Sequence, residues 1–97
     1  MSVTVEVRFM GIFQQLFGKK RFKLKLEKPA TVRKVVIKLT ETFSSEFTRV
    51  LIDLQRNDPR PNALILVEGK EINVLQGLEK EIKDSEEIVF LPMVYGG

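Results

Sequence analysis

The residues best suited to chemistry stand at the end of the chain, where Leu91-Pro92-Met93-Val94-Tyr95 leads into Gly96-Gly97. Two final glycines remove side chains and leave the backbone free to turn, so the last functional group expected there is an α-carboxylate. Such a group is ionised at neutral pH. We take it as the working group and the remaining residues as the body that carries it. Few groups compete with it. The chain has no cysteine, which excludes disulfides, thiolate metal sites and a cysteine nucleophile or persulfide on this chain. It has no histidine, the commonest general base and metal ligand.

Other constellations are weaker. Glu79, Glu81, Asp84, Glu86 and Glu87 form an acidic cluster, but Lys80 and Lys83 are interleaved and no EF-hand spacing occurs. We read a solvated face and expect no metal. Lys19-Lys20-Arg21 beside Phe17 and Phe22 has the composition of a nucleic-acid patch. The phenylalanines fall on core positions, however, so a hairpin with solvated charges is the stronger reading. Gly11 and Gly18 lack the Gly-Lys-Ser/Thr ending of a phosphate loop and read as turns. The net charge of +3 comes from 16 basic and 13 acidic residues that are mostly interspersed, so we expect no nucleic-acid partner. No apolar run reaches the length of a membrane span and no signal peptide is expected before Val3, so the expected location is cytoplasmic, with no membrane partner.

The 97 residues suffice for one domain with one core. Residues 3–10 alternate, with Val3, Val5, Val7 and Phe9 on one side and Thr4, Glu6, Arg8 and Met10 on the other, as in a half-buried strand. Ile12, Phe13, Leu16 and Phe17 suggest one or two helical turns or a compact loop between Gly11 and Gly18. Residues 21–27 alternate again, with Phe22, Leu24 and Leu26 inward, and Lys28-Pro29 ends that strand. Thr31 can cap a helix whose Val32, Val35, Val36, Leu39 and Phe43 follow the 3.6-residue period. Phe47, Val50, Leu51 and Leu54 predict a second helix over about 46–55. Residues 56–62 form a polar loop with two prolines. Ala63 to Val67 reads as a buried strand, and Ile72 to Leu78 as a short strand and tight turn. The final strand, 87–92, is apolar on both faces, as in a strand inside a sheet. The expected fold class is α+β. The element order matches a ubiquitin-like β-grasp, a mixed sheet of four to five strands on one main helix with a second short helix, an order whose elements other α+β folds also use. The last strand lies parallel to the first in mid-sheet. We expect a body over 1–91 and a flexible tail over 92–97.

Particular residues then carry a resemblance. Ile65-Leu66-Val67-Glu68-Gly69-Lys70-Glu71-Ile72, Leu75-Gln76-Gly77-Leu78 and the run from Lys83 to Gly97 resemble the small subunit of molybdopterin synthase. That group belongs to the ubiquitin-like sulfur carriers, with the thiamine-pathway carrier and the ubiquitin-related modifier. Leu91, Pro92, Val94, Gly96 and Gly97 match its usual ending; Met93 replaces a second proline, and Tyr95 stands where a small residue is common. Glu68 replaces an asparagine, and Ser85-Glu86 replaces Gly-Asp. Residues 44–62 look longer than a compact member needs. Pro92 favours the molybdopterin branch over the ubiquitin-related modifier.

The resemblance implies a chemistry. Gly97 would be adenylated with ATP by a ubiquitin-activating-enzyme-like adenylyltransferase, then converted to a thiocarboxylate with sulfur from a sulfur donor protein. Its sulfur would pass to a pterin precursor of the molybdenum or tungsten cofactor, on the molybdopterin synthase large subunit. The chain would bind no cofactor and would not be an enzyme alone, but a co-substrate and subunit. Gly96 would give access to a narrow channel. Val89, Leu91, Pro92, Met93, Val94 and Tyr95, with Met10, would meet the partners. Lys80 and Lys83 either pair with acidic partner groups or form a solvated face. Other readings are a modifier joined through Gly97 to lysines, sulfur donation to tRNA or thiamine, and a plain β-grasp interaction module.

Overall fold

A computed structural model of the chain describes residues 1–93. Alternation in the first strand sets the sheet. In β1 (Ser2–Phe9), Val3, Val5, Val7 and Phe9 are buried and the residues between them are half-buried. A single helical turn and a half, α1 (Ile12–Phe17), leads into β2 (Arg21–Glu27), which pairs antiparallel with β1 from Ser2↔Glu27 to Arg8↔Arg21. The main helix, α2 (Val32–Thr42), starts where the Thr31 hydroxyl accepts from the Lys34 amide at 3.2 Å. Its buried stripe is Val32, Val35, Val36 and Leu39, while Ile37 lies off the stripe and is exposed. The Ser44 hydroxyl caps α3 (Ser45–Leu51) in the same way.

The chain then completes the sheet. β3 (Ala63–Val67) is followed by β4 (Lys70–Glu71) and two 3-10 turns, Ile72–Val74 and Gly77–Glu79. β5 (Glu87–Pro92) runs parallel to β1 and antiparallel to β3, and the sheet order is β2-β1-β5-β3-β4. This is the ubiquitin-like β-grasp fold, with three α-helices among the described residues. The charged stretch before β5 is tied to the start of α2: the Val32 amide donates to the Lys80 carbonyl, and the Ile82 amide to that of Ala30. Ile82 is thereby buried despite its charged neighbours.

The core is organised by rings. All seven phenylalanines join one network. Phe9 is its hub, with ring centroids 4.9 Å from Phe17, 5.2 Å from Phe47, 5.7 Å from Phe90 and 5.8 Å from Phe22. Phe43 joins through Phe17, and Phe13 through Phe47. Segment 44–62 is therefore no decoration, because Phe47 and Leu51 are fully buried.

Three local expectations are corrected. The second helix stops at Leu51, and Leu54 is exposed. The Asp53 carboxylate accepts from the Gln55 and Arg56 amides, and Asp53 and Asp58 exchange backbone hydrogen bonds, so the chain folds back before another helical turn forms. In place of a strand after Glu71 come the 3-10 turns Ile72–Val74 and Gly77–Glu79; the first begins where the Glu71 carboxylate accepts from the Asn73 amide at 2.7 Å and captures the backbone locally. β3 is buried on one face only: Ala63, Ile65 and Val67 enter the core, while Leu64 and Leu66 are half-buried on the other side. Among the described residues, no helix is long and apolar enough to cross a membrane.

Candidate functional site

The central strand β5 delivers the end of the chain. It continues through Pro92, paired with Ala63, one residue beyond the expected boundary of the body at 91. The Met93 amide then donates to the Asn62 carbonyl at 3.0 Å. On the other side, the Met10 amide donates to the Phe90 carbonyl at 3.1 Å. The exit is therefore framed by the turn after β1 and by loop 56–62.

Gly11 makes the first of these frames possible. Its φ is +58°, and a Cβ built there would lie 2.8 Å from Pro92 Cγ. Only a residue without a side chain admits the proline ring at this spot. Replacing Gly11 by Ala is expected to lower stability by about 2 kcal/mol, combining backbone strain with the clash. Gly18 also has a positive φ, but nothing lies within 4 Å of its would-be Cβ. Gly18→Ala thus carries the strain alone, and urea unfolding of the two variants should show the larger loss at Gly11.

Loop 56–62 is held by an ion pair. Arg60 Nη2 donates to Asp58 Oδ2 at 2.6 Å, Arg60 Nε to Oδ1 at 3.0 Å, and the Arg60 amide to the same Oδ1 at 2.8 Å. Arg60 also reaches Asn73. The hydrogen bonds from Arg60 hold the Asp58 carboxyl below its ordinary value against the opposing effect of burial, and Asp58 raises Arg60. A depressed carboxyl stabilises the fold above its unfolded pKa and loses that contribution as pH falls through the folded value. Asp58→Asn is expected to cost about 1 kcal/mol at pH 7, an amount discounted for solvent screening because Arg60 is partly exposed. Wild-type and variant stabilities should converge as the medium is acidified through the Asp58 titration.

The face opposite the helices lies beside this exit. Register sets Arg21, Arg8, Val89, Leu66 and Glu71 in one row across the five strands. The next row towards the exit sets Leu91 beside Leu64. Of the residues expected to meet partners, Met10 and Met93 are exposed, and Leu91 and Pro92 are half-buried. Val89 departs from expectation, with only 7% of its surface accessible. It sits on the central strand directly between Arg8 and Leu66, which leaves its methyl groups little room to meet a partner. Val94, Tyr95, Gly96 and Gly97 lie outside the described residues. Sequence reading missed Leu64, Leu66 and Asn62. The two leucines were legible only by applying period-two alternation to a run that reads as uniformly apolar.

Known proteins resemble this chain along nearly its whole length. Human ubiquitin-related modifier 1 is 27% identical over 99 residues, covering 98% of this chain and 96% of the relative. The solution structure of small archaeal modifier protein 1 from Methanosarcina acetivorans superposes with a TM-score of 0.80 at 28% identity, covering 100% of this chain and 99% of that one. A Pyrococcus furiosus protein described as molybdopterin converting factor subunit 1 has a TM-score of 0.75 at 21% identity, covering 95% and 99% of the two chains, a likeness of fold. The family described as Urm1 (Ubiquitin related modifier) matches residues 4–97. A β-grasp body with its end delivered from the central strand, and a family match spanning almost every residue, place the chain in the Urm1 family of ubiquitin-like carriers and modifiers.

Proposed function

We propose that this chain is a sulfur carrier whose Gly97 carboxylate is the carrying group. The observation that supports this most is the framed exit of β5, which fixes the point from which residues 94–97 depart. Four residues span at most about 13 Å. That length suits a body that docks outside an enzyme while its end reaches the nucleotide inside. In the first step a carboxylate oxygen attacks the α-phosphorus of ATP on a ubiquitin-activating-enzyme-like adenylyltransferase and pyrophosphate leaves. The outer sulfur of a persulfide on a donor protein then displaces AMP to form an acyl disulfide. A thiol of the donor or the enzyme attacks the donor sulfur of that S–S bond, releasing the thiocarboxylate and leaving a protein disulfide. With no cysteine in the chain, the acyl end is its only sulfur site. Leu91, Pro92, Met93 and Met10, joined by Leu64, supply the partner contact.

The acceptor is a further step. A pterin precursor, with the molybdopterin synthase large subunit as partner, is the reading that the Leu91-Pro92 and Val94 resemblance supports. Pro92, however, packs over Gly11 and closes the end of β5, a role that serves any acceptor. The family match gives specific support to a second reading, in which the same adenylate leads to an isopeptide bond between Gly97 and a lysine of a target protein. Both readings share the first step. The cognate adenylyltransferase with ATP should release pyrophosphate with the full chain and none with a chain lacking Gly96 and Gly97.

A further inference from the structure

The open sheet face contains one pairing that the fold itself does not explain. Along β1 and β2, Glu6 stands opposite Lys23 and Thr4 opposite Lys25. The next such pair is Arg8 opposite Arg21. Like charges directly across a ladder are destabilising. The geometry sharpens the conflict. The Phe9 amide donates to the Lys20 carbonyl at 2.9 Å, so Phe9 and Lys20 form a hydrogen-bonded pair. The adjoining pair, Arg8 and Arg21, is then of the non-hydrogen-bonded kind, in which side chains approach most closely. Among the described residues, neither arginine has an ion pair or a side-chain hydrogen bond. Lys19 and Lys20 precede Arg21 and add to the positive charge.

The surroundings give the pair a direction. Arg8 is in register with Val89, and Leu66 follows on the far side of β5. Further along the strands towards the exit come Leu91 and Leu64; away from it, Glu6 is in register with Glu87. The face thus runs from carboxylates, through two guanidiniums, to an apolar patch at the exit of β5. Planar guanidiniums bind carboxylates through paired, charge-assisted hydrogen bonds, which point charges do not reproduce.

We propose that Arg8 and Arg21 form a clamp for a carboxylate-bearing protein surface, the acidic docking face of the enzyme that activates Gly97. This rests on the carrier reading above. A bound carboxylate would relieve the repulsion between the arginines and orient the body so that Leu91 and the chain end point into the enzyme.

The test is ATP–pyrophosphate exchange by the cognate adenylyltransferase, with the carrier as varied substrate. Arg21→Glu is expected to raise KM roughly tenfold or more with kcat little changed, and to reduce the salt dependence of kcat/KM. The same substitution should raise the thermal midpoint of the free protein, because it places a glutamate opposite Arg8. Stability and docking then move in opposite directions, which a folding defect cannot imitate. Arg8→Lys/Arg21→Lys keeps the charge and should recover only part of the affinity. If wild type supports no exchange, the carrier reading fails and the clamp with it. If wild type supports exchange and Arg21→Glu leaves KM unchanged, or if the arginines serve a single-stranded oligonucleotide instead, the clamp alone is overturned.

Discussion

A chain lacking Gly96 and Gly97 is expected to fold as wild type and to lose adenylation altogether. Among the described residues, the buried apolar side chains run from Val3 to Phe90, and the last backbone hydrogen bond is made by Met93. The unfolding midpoint should therefore not move. Activity should fall far more than a modest change in affinity would cause. Truncation withdraws the carboxylate by about 7 Å and puts the Tyr95 side chain at the new end. Misplacement of a reacting group by only about 1 Å can cost about 100-fold in rate. Gly96→Val keeps the length and adds a branched side chain, so it separates reach from access. Loss of exchange in this variant as well would show that a narrow channel, and not only length, is required.

Phe9→Ala is expected to be the most damaging substitution in the body. Its ring contacts Phe17, Phe22, Phe47 and Phe90, and thereby joins β1 to α1, β2, α3 and β5. Removing a fully buried ring of this kind costs about 3–5 kcal/mol through lost transfer energy and residual cavity. A domain of this size has a total stability of about 5–15 kcal/mol. The variant should therefore show a large drop in the urea midpoint and partial unfolding at 37 °C. Phe9→Leu keeps apolar volume and should lose about 1–2 kcal/mol. The chain end feels this residue too, since Phe9 is in register with Phe90 and Met10 bonds to the Phe90 carbonyl. Loosening Phe9 should therefore increase amide exchange at Met10 and along β5.

Much of this body was legible in the residues. Val3, Val5, Val7 and Phe9 announced β1 because one face of the strand is covered by helices and the other is not. Thr31 announced α2 through a hydroxyl that has one orphan amide to satisfy. The central place of β5 followed from apolar residues on both its faces, since a strand between two others is shielded on both sides. What escaped was decided by groups distant in sequence or by local competition for the backbone. Leu54 continued the helical spacing of Phe47 and Leu51, but the Asp53 carboxylate took the amides that another turn would have used. Val89 read as an outward residue and was outward, yet its two flanking strands left it buried. Gly11 read as an ordinary turn, because its contact with Pro92 spans nearly the whole chain. The arginine pair at 8 and 21 was invisible until the register of the hairpin placed one opposite the other.

The measurement that bears most directly on the role of Gly97 is the intact mass of the protein isolated from its native cell, with fragmentation of its C-terminal peptide. A sulfur carrier predicts a population heavier by the mass difference between sulfur and oxygen, with the gain confined to Gly97. Release of that sulfur on incubation with the cognate acceptor should return the original mass. A Gly97 carboxylate that remains unmodified in the cell, and inert to ATP with the cognate adenylyltransferase, would contradict it.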